Sequence, residues 1–163
     1  MNENSARIVV SDTGALISLE KITGGYDFIR KLYDVILVPP AVMEELAENY
    51  DSPGHYLRYY RISDLITVKS TELITIEKKL DKGEIEAISL ALNLNLPLLI
   101  EEAAGRAVAH FLGLSFSGIA RQVVNAYKKR TISADDACDK LNELMHTNRI
   151  NQKVFDALRS KIW

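Results

Sequence analysis

An α/β fold with a central parallel sheet is predicted by three features of this 163-residue chain. Short apolar runs at residues 8–10, 35–38 and 98–100 are too brief and too uniformly apolar for half-exposed antiparallel strands. They fit strands covered on both faces. Helical patterns alternate with them, as in βαβ units. The runs stop abruptly at polar or proline residues, and in open parallel sheets ligands bind just beyond the carboxyl ends of the strands.

The elements follow in order. The first strand, 8–10, runs into Ser11-Asp12-Thr13-Gly14 and then a helix over 15–21 that carries Leu16, Ile17 and Leu19. A short helix over 26–32 puts Phe28, Ile29 and Leu32 on one side. Residues 35–38 form the second strand; Pro39-Pro40 closes it, and Pro40 suits the first turn of a helix over 41–48. Residues 50–61, with Pro53-Gly54 and four tyrosines, read as irregular or weakly helical. A more polar third strand at 65–68 lies nearer an edge, and 73–79 form a helical turn. The pattern over 84–94 is strongly helical, ending at Asn95 and Pro97. The fourth strand, 98–100, stops at Glu101-Glu102. A helix over 103–112 is broken by Gly113, and 114–116 make a last short strand. Three helices close the chain, over 119–130, 134–145 and 152–162. Ser133 is the N-cap of the second, with Asp135 and Asp136 in its first turn.

Composition narrows the function. Hydrophobic residues make up 47% and charged residues 26%, as in ordinary globular domains, and the length suffices to bury a core. A net charge of −2 argues against nucleic-acid binding by bulk positive charge, while leaving room for a local basic rim. The single Cys138 excludes an intrachain disulfide, and no Cys/His spacing suits zinc. The polar start, residues 1–7, lacks the apolar core of a secretory signal, and no apolar run approaches about 20 residues. The expectation is a cytoplasmic protein with no membrane segment.

Acids return to one edge of the expected sheet. Asp12 follows the first strand, Glu44 and Glu45 lie one turn into the helix after the second, and Glu101 and Glu102 follow the fourth. On the helix over 84–94, Ile85, Ile88, Ala91 and Leu92 define an apolar face. Counting 3.6 residues per turn, Glu84 borders that face and Glu86 points to water. The same count does not separate Glu44 from Glu45. Converging carboxylates repel unless a cation joins them. Mg²⁺ and Mn²⁺ take such oxygen ligands, and a site of this kind activates water and stabilises phosphoryl charge.

Four segments carrying these acids resemble the PIN-domain family, in particular its compact prokaryotic toxin-like ribonucleases. They are Val-Val-Ser-Asp12-Thr13-Gly14-Ala-Leu-Ile, Val-Pro-Pro-Ala-Val-Met-Glu44-Glu45-Leu, Leu80-Asp-Lys-Gly83-Glu84-Ile-Glu86-Ala87-Ile and Leu98-Leu-Ile-Glu101-Glu102-Ala-Ala-Gly105-Arg106. The resemblance implies a three-layer α/β/α fold with four to five parallel strands and added C-terminal helices. It makes 1–163 one PIN-like domain, with a core over about 7–130 and an extension over about 131–163. It further implies Mg²⁺- or Mn²⁺-dependent cleavage of single-stranded RNA as a toxin, an antitoxin protein as partner, and a homodimer. The acids carried over are Asp12, Glu45, Glu84, and Glu101 or Glu102, with Thr13 near the metal or its water. The fourth motif departs from the family by having Glu101-Glu102 where an Asp is usual, which moves the carboxylate oxygens by about an ångström. The alternative reading is a catalytically weak PIN-like module that binds RNA or a protein.

Other signals resolve less. Val-Val-Ser-Asp12-Thr13-Gly14-Ala also matches an aspartic-protease signature, but that chemistry needs two such aspartates on β-rich lobes. A haloacid-dehalogenase-type phosphatase usually repeats an Asp where this chain has Gly14. Arg106 reads equally as a phosphate contact or a partner for a nearby acid. Lys128-Lys129-Arg130 suits the closing turn of a helix. Tyr56, Tyr59 and Tyr60 with Arg58 and Arg61 fit a helical dimer interface better than base stacking. His55, His110 and His146 have no partner spacing. Cys138 reads as core and Trp163 as a docked terminus.

Overall fold

A computed structural model describes residues 5–163; the first four residues of the polar start lie outside the described residues. β1 (Ile8–Ser11) leads into α1 (Thr13–Glu20) and α2 (Gly25–Arg30). β2 (Val35–Val38) is followed by α3 (Pro40–Leu46) and α4 (Pro53–Tyr59), and β3 (Ile66–Val68) by α5 (Lys82–Leu94). Then come β4 (Leu98–Leu99), α6 (Ala103–Phe111) and β5 (Phe116–Ser117). α7 (Ile119–Lys128), α8 (Ala134–His146) and α9 (Gln152–Arg159) complete the chain.

Among the described residues the five strands are all parallel, in the order β3-β2-β1-β4-β5. β1 is central: Val10 stands opposite Leu37 on one side and Leu98 on the other. Strand residues alternate between two cores, as the two-residue period requires. Val9, Ile36, Val38 and Leu99 face a core closed by α1, α7, α8 and α9. Val10, Leu37, Leu98 and Ile100 face a second core closed by α5 and α6. The result is the expected three-layer arrangement, and among the described residues no helix is long and apolar enough to cross a membrane.

The expectations for residues 50–61, 73–79 and Trp163 are corrected. Residues 50–61 contain a regular helix, α4, because the Ser52 side chain accepts from the His55 N–H at 3.0 Å and Pro53 opens the first turn. Residues 73–79 have no regular structure. Ile74 and Ile76 pack against the second core, so their apolar pattern reflects packing rather than helix. Tyr26, Tyr50, Tyr56 and Tyr60 form a hydrogen-bonded and ring-packed network. Tyr56 is fully buried; its hydroxyl lies 2.7 Å from that of Tyr26 and donates to Glu20 at 2.8 Å, and Tyr60 donates to the same carboxylate at 3.1 Å. Trp163 remains 66% exposed, while Ile162 beside it is buried. Cys138 is buried in the first core.

Candidate active site

The chain leaves β1 for β2 on one side and returns to β4 on the other, so the strand order reverses beside β1. The carboxyl ends of β1 and β4 flank the crevice where parallel sheets bind ligands. Asp12 stands directly after β1, fixed from both sides. Its backbone N–H donates to the Leu99 carbonyl at 3.0 Å, and its carboxylate caps α1 by accepting the Thr13 N–H at 2.7 Å.

Asp12 is only 3% exposed. Burial, opposed by the Thr13 N–H and reinforced by Asp81, Glu45 and Glu102, pushes its pKa up to about 7. Glu84, 4% exposed, is likewise pushed to about 7, chiefly by burial and further by Asp81 and Asp12. Glu45 on α3 is raised by burial and by Asp81, Glu48 and Glu86, and lowered by the adjacent Thr13 hydroxyl. Asp12 thus senses Glu45 and Glu102, Glu84 senses Asp12, and Asp81 acts on Asp12, Glu45 and Glu84 alike.

Asp81 is the acid that sequence reasoning missed. It accepts the Glu84 N–H at 2.8 Å, and its own N–H donates to Glu84 Oε1 at 3.4 Å, a capping box that opens α5. The Asp81-Lys82-Gly83-Glu84 spacing carried that signal.

Two glycines shape the edge by letting carboxylates approach backbone. A Cβ on Gly83 would lie 2.5 Å from Glu45 Oε1, and one on Gly105 would lie 2.7 Å from Glu84 Oε2. No Cβ tolerates such distances, so a side chain at either position displaces an acid.

The remaining acids divide by function. Glu101 Oε1 accepts the Ile119 N–H at 2.9 Å and so caps α7, and its Oε2 lies 3.6 Å from Arg106 Nη2. Arg106 also donates Nε to the Ile100 carbonyl at 3.0 Å. Glu102, exposed at the start of α6, makes no side-chain hydrogen bond among the described residues. Glu86 does not point to water: it is 9% exposed and accepts the Ala41 N–H at 3.1 Å, capping the first turn of α3. The helical count misplaced it because α3 covers that side of α5.

The donor set fits a hard divalent cation in kind. All donors are oxygens, Asp12, Glu45 and Glu84 have raised pKa values, and among the described residues the buried Glu84 Oε2 has no hydrogen-bond partner. An unpaired buried carboxylate oxygen is costly, and a cation would relieve the cost. No three His, Cys, Asp or Glu side chains among the described residues stand close enough to form a closed cage. A cavity of about 760 Å³ elsewhere, between 75–78 and the second half of α6, is lined by none of these acids.

A parallel three-layer sheet with acids gathered at its switch point defines the class of architecture, and comparison with known proteins places it. A family model described as PIN domain matches residues 8–162. The chain belongs to the PIN-domain family, whose fold is of nuclease type and whose members commonly use divalent metals. Among solved structures it is similar to a PilT N-terminus domain protein from the hyperthermophilic archaeon Sulfolobus solfataricus P2. The two share 17% identity and a TM-score of 0.52, over 70% of this chain and 88% of that one. No curated protein matches the chain.

Proposed function

We propose that this protein is a metal-dependent endoribonuclease that cleaves single-stranded RNA, acting as the toxin of a toxin–antitoxin pair. The observation that carries the reading is electrostatic. Asp12, Glu45 and Glu84 meet at one sheet edge with raised pKa values, and no Lys or Arg among the described residues pairs with any of them. A bound cation would offset this repulsion by attracting all three carboxylates.

Asp12, Glu84 and Glu102 would hold Mg²⁺ or Mn²⁺, which supplies Lewis-acid polarisation and activation of water. Glu102 takes the fourth place because both oxygens of Glu101 are engaged. Glu45, exposed and with raised proton affinity, is suited to accept the proton of an attacking water. The Thr13 hydroxyl, buried beside Glu45, is placed to orient that water. An antitoxin protein and a second copy of the chain are the partners proposed with this activity.

The test is cleavage of single-stranded RNA by purified protein with Mn²⁺, beside Asp12→Asn. The wild type should cut and the variant should lose about 10²–10⁴-fold in rate. Equal cleavage by both would overturn the assignment. The second reading, a weak RNA- or protein-binding module, is favoured by the lack of a closed three-ligand cage. It would be supported if neither protein cleaves while both bind.

A further inference from the structure

The C-terminal helices place one side chain at the acid edge. α8 ends with Asn148 in the left-handed conformation (φ 61°), and the Arg149 N–H donates to the Leu144 carbonyl at 2.8 Å, a Schellman-type closure. This closure aims Arg149 at α1. Its Nε donates to Ser18 Oγ at 2.9 Å, and its Nη2 donates to the Gly14 carbonyl at 2.8 Å. Gly14 lies two residues after Asp12. A Cβ built there would be 3.4 Å from Glu101 Cβ and 3.7 Å from Arg149 Nη2, so the guanidinium and Glu101 both border Gly14, just past the exit of β1.

Both groups that hold this guanidinium are neutral. Among the described residues no carboxylate lies within 4.0 Å of it, and its Nη1 has no hydrogen-bond partner. Arg106, the other arginine at this edge, is already paired with Glu101. Arg149 is therefore a half-buried, fully oriented cation whose charge is unmatched. A guanidinium in that state matches the geometry of a phosphate, which it binds through two parallel N–H groups.

We propose that Arg149 is a phosphate contact for the RNA strand, supplied to the active edge by the C-terminal helices. The proposal rests on the nuclease reading above and extends it to a residue outside the acid cluster. Removing one phosphate contact weakens binding uniformly across sequences, and for single strands it lowers the salt slope by about 0.7.

The experiment measures binding of labelled oligouridylate RNA in EDTA, where no cleavage occurs, across a range of salt. The proteins are wild type, Arg149→Met, Arg149→Lys and Ser18→Ala. The expected result is that R149M weakens binding about tenfold with a shallower salt slope. R149K should recover part of the loss, and S18A should bind as wild type. Ser18→Ala removes an anchor of the guanidinium without removing its charge, so equal losses in S18A and R149M would assign Arg149 a purely structural tie and overturn the proposal. Wild-type affinity in a folded R149M would also overturn it while leaving the nuclease reading standing. If the wild type bound no RNA and cleaved none with Mn²⁺, both would fall.

Discussion

At Asp12 a carboxyl is kept where its charge is unfavourable, and this leaves a signature in pH. The folded chain holds that proton up to about pH 7, against 3.8 for the ordinary side chain. Between those values the folded state binds more protons than the unfolded state, so stability falls as pH rises through the window. The loss attributable to Asp12 is at most about 4 kcal/mol. Thermal melts of metal-free protein should show a Tm that declines from pH 4 to pH 7, and Asp12→Asn should flatten that decline. Added Mn²⁺ should raise the Tm more at pH 8 than at pH 5, because ligand binding stabilises by mass action and protons compete for the same oxygens. Gly83→Ala separates site from stability. Alanine in the first turn of α5 favours helix by up to about 1 kcal/mol, yet its Cβ collides with the Glu45 carboxylate. The melting temperature should hold or rise while RNA cleavage falls.

Among the elements, helix N-termini organise the edge. Glu86 caps α3 from α5, and Glu101 caps α7 from the end of β4. Each acid ties together two elements that carry or border the site. Glu101→Ala should therefore cost about 1–3 kcal/mol in chemical denaturation and leave metal affinity near wild type. Glu102→Ala should do the reverse, with calorimetry against Mn²⁺ showing the loss. This pair also marks where the sequence stopped being informative. The strands at 35–38 and 98–100, the alternation of strand and helix, and the position of Asp12 after β1 were legible because buried parallel strands are short, apolar and sharply ended. Glu101 and Glu102 could not be told apart, since the difference lies in the Ile119 N–H, which only the folded chain brings near. Glu86 failed for the same reason: a helical count sees one helix, and the Ala41 N–H belongs to another. The α4 helix is legible in Ser52-Pro53, an N-cap and a first-turn proline, whereas the packing of Tyr56 and Tyr60 depends on Glu20 and Tyr26, which only the folded chain brings near.

On the scale of the whole molecule, the last three helices close the first core and bring Arg149 beside Gly14, just past the exit of β1. Phe155 and Leu158 of α9 are buried in that core, whereas Trp163 is exposed. Phe155→Ala should cost about 3–5 kcal/mol by loss of packing, and Trp163→Ala should change the denaturation midpoint little. The position of β1 at the middle of the sheet has a further consequence during synthesis. As the chain leaves the ribosome, Val10 can pair with Leu37 early, but its other edge waits for Leu98. Throughout that interval a nascent chain carries an apolar strand with an open row of amide and carbonyl groups, a template for adhesion to other chains. Asp12 also lacks the Leu99 carbonyl that fixes it. A ribosome-bound intermediate stalled before β4 is therefore adhesive and has not yet fixed Asp12 at the sheet edge.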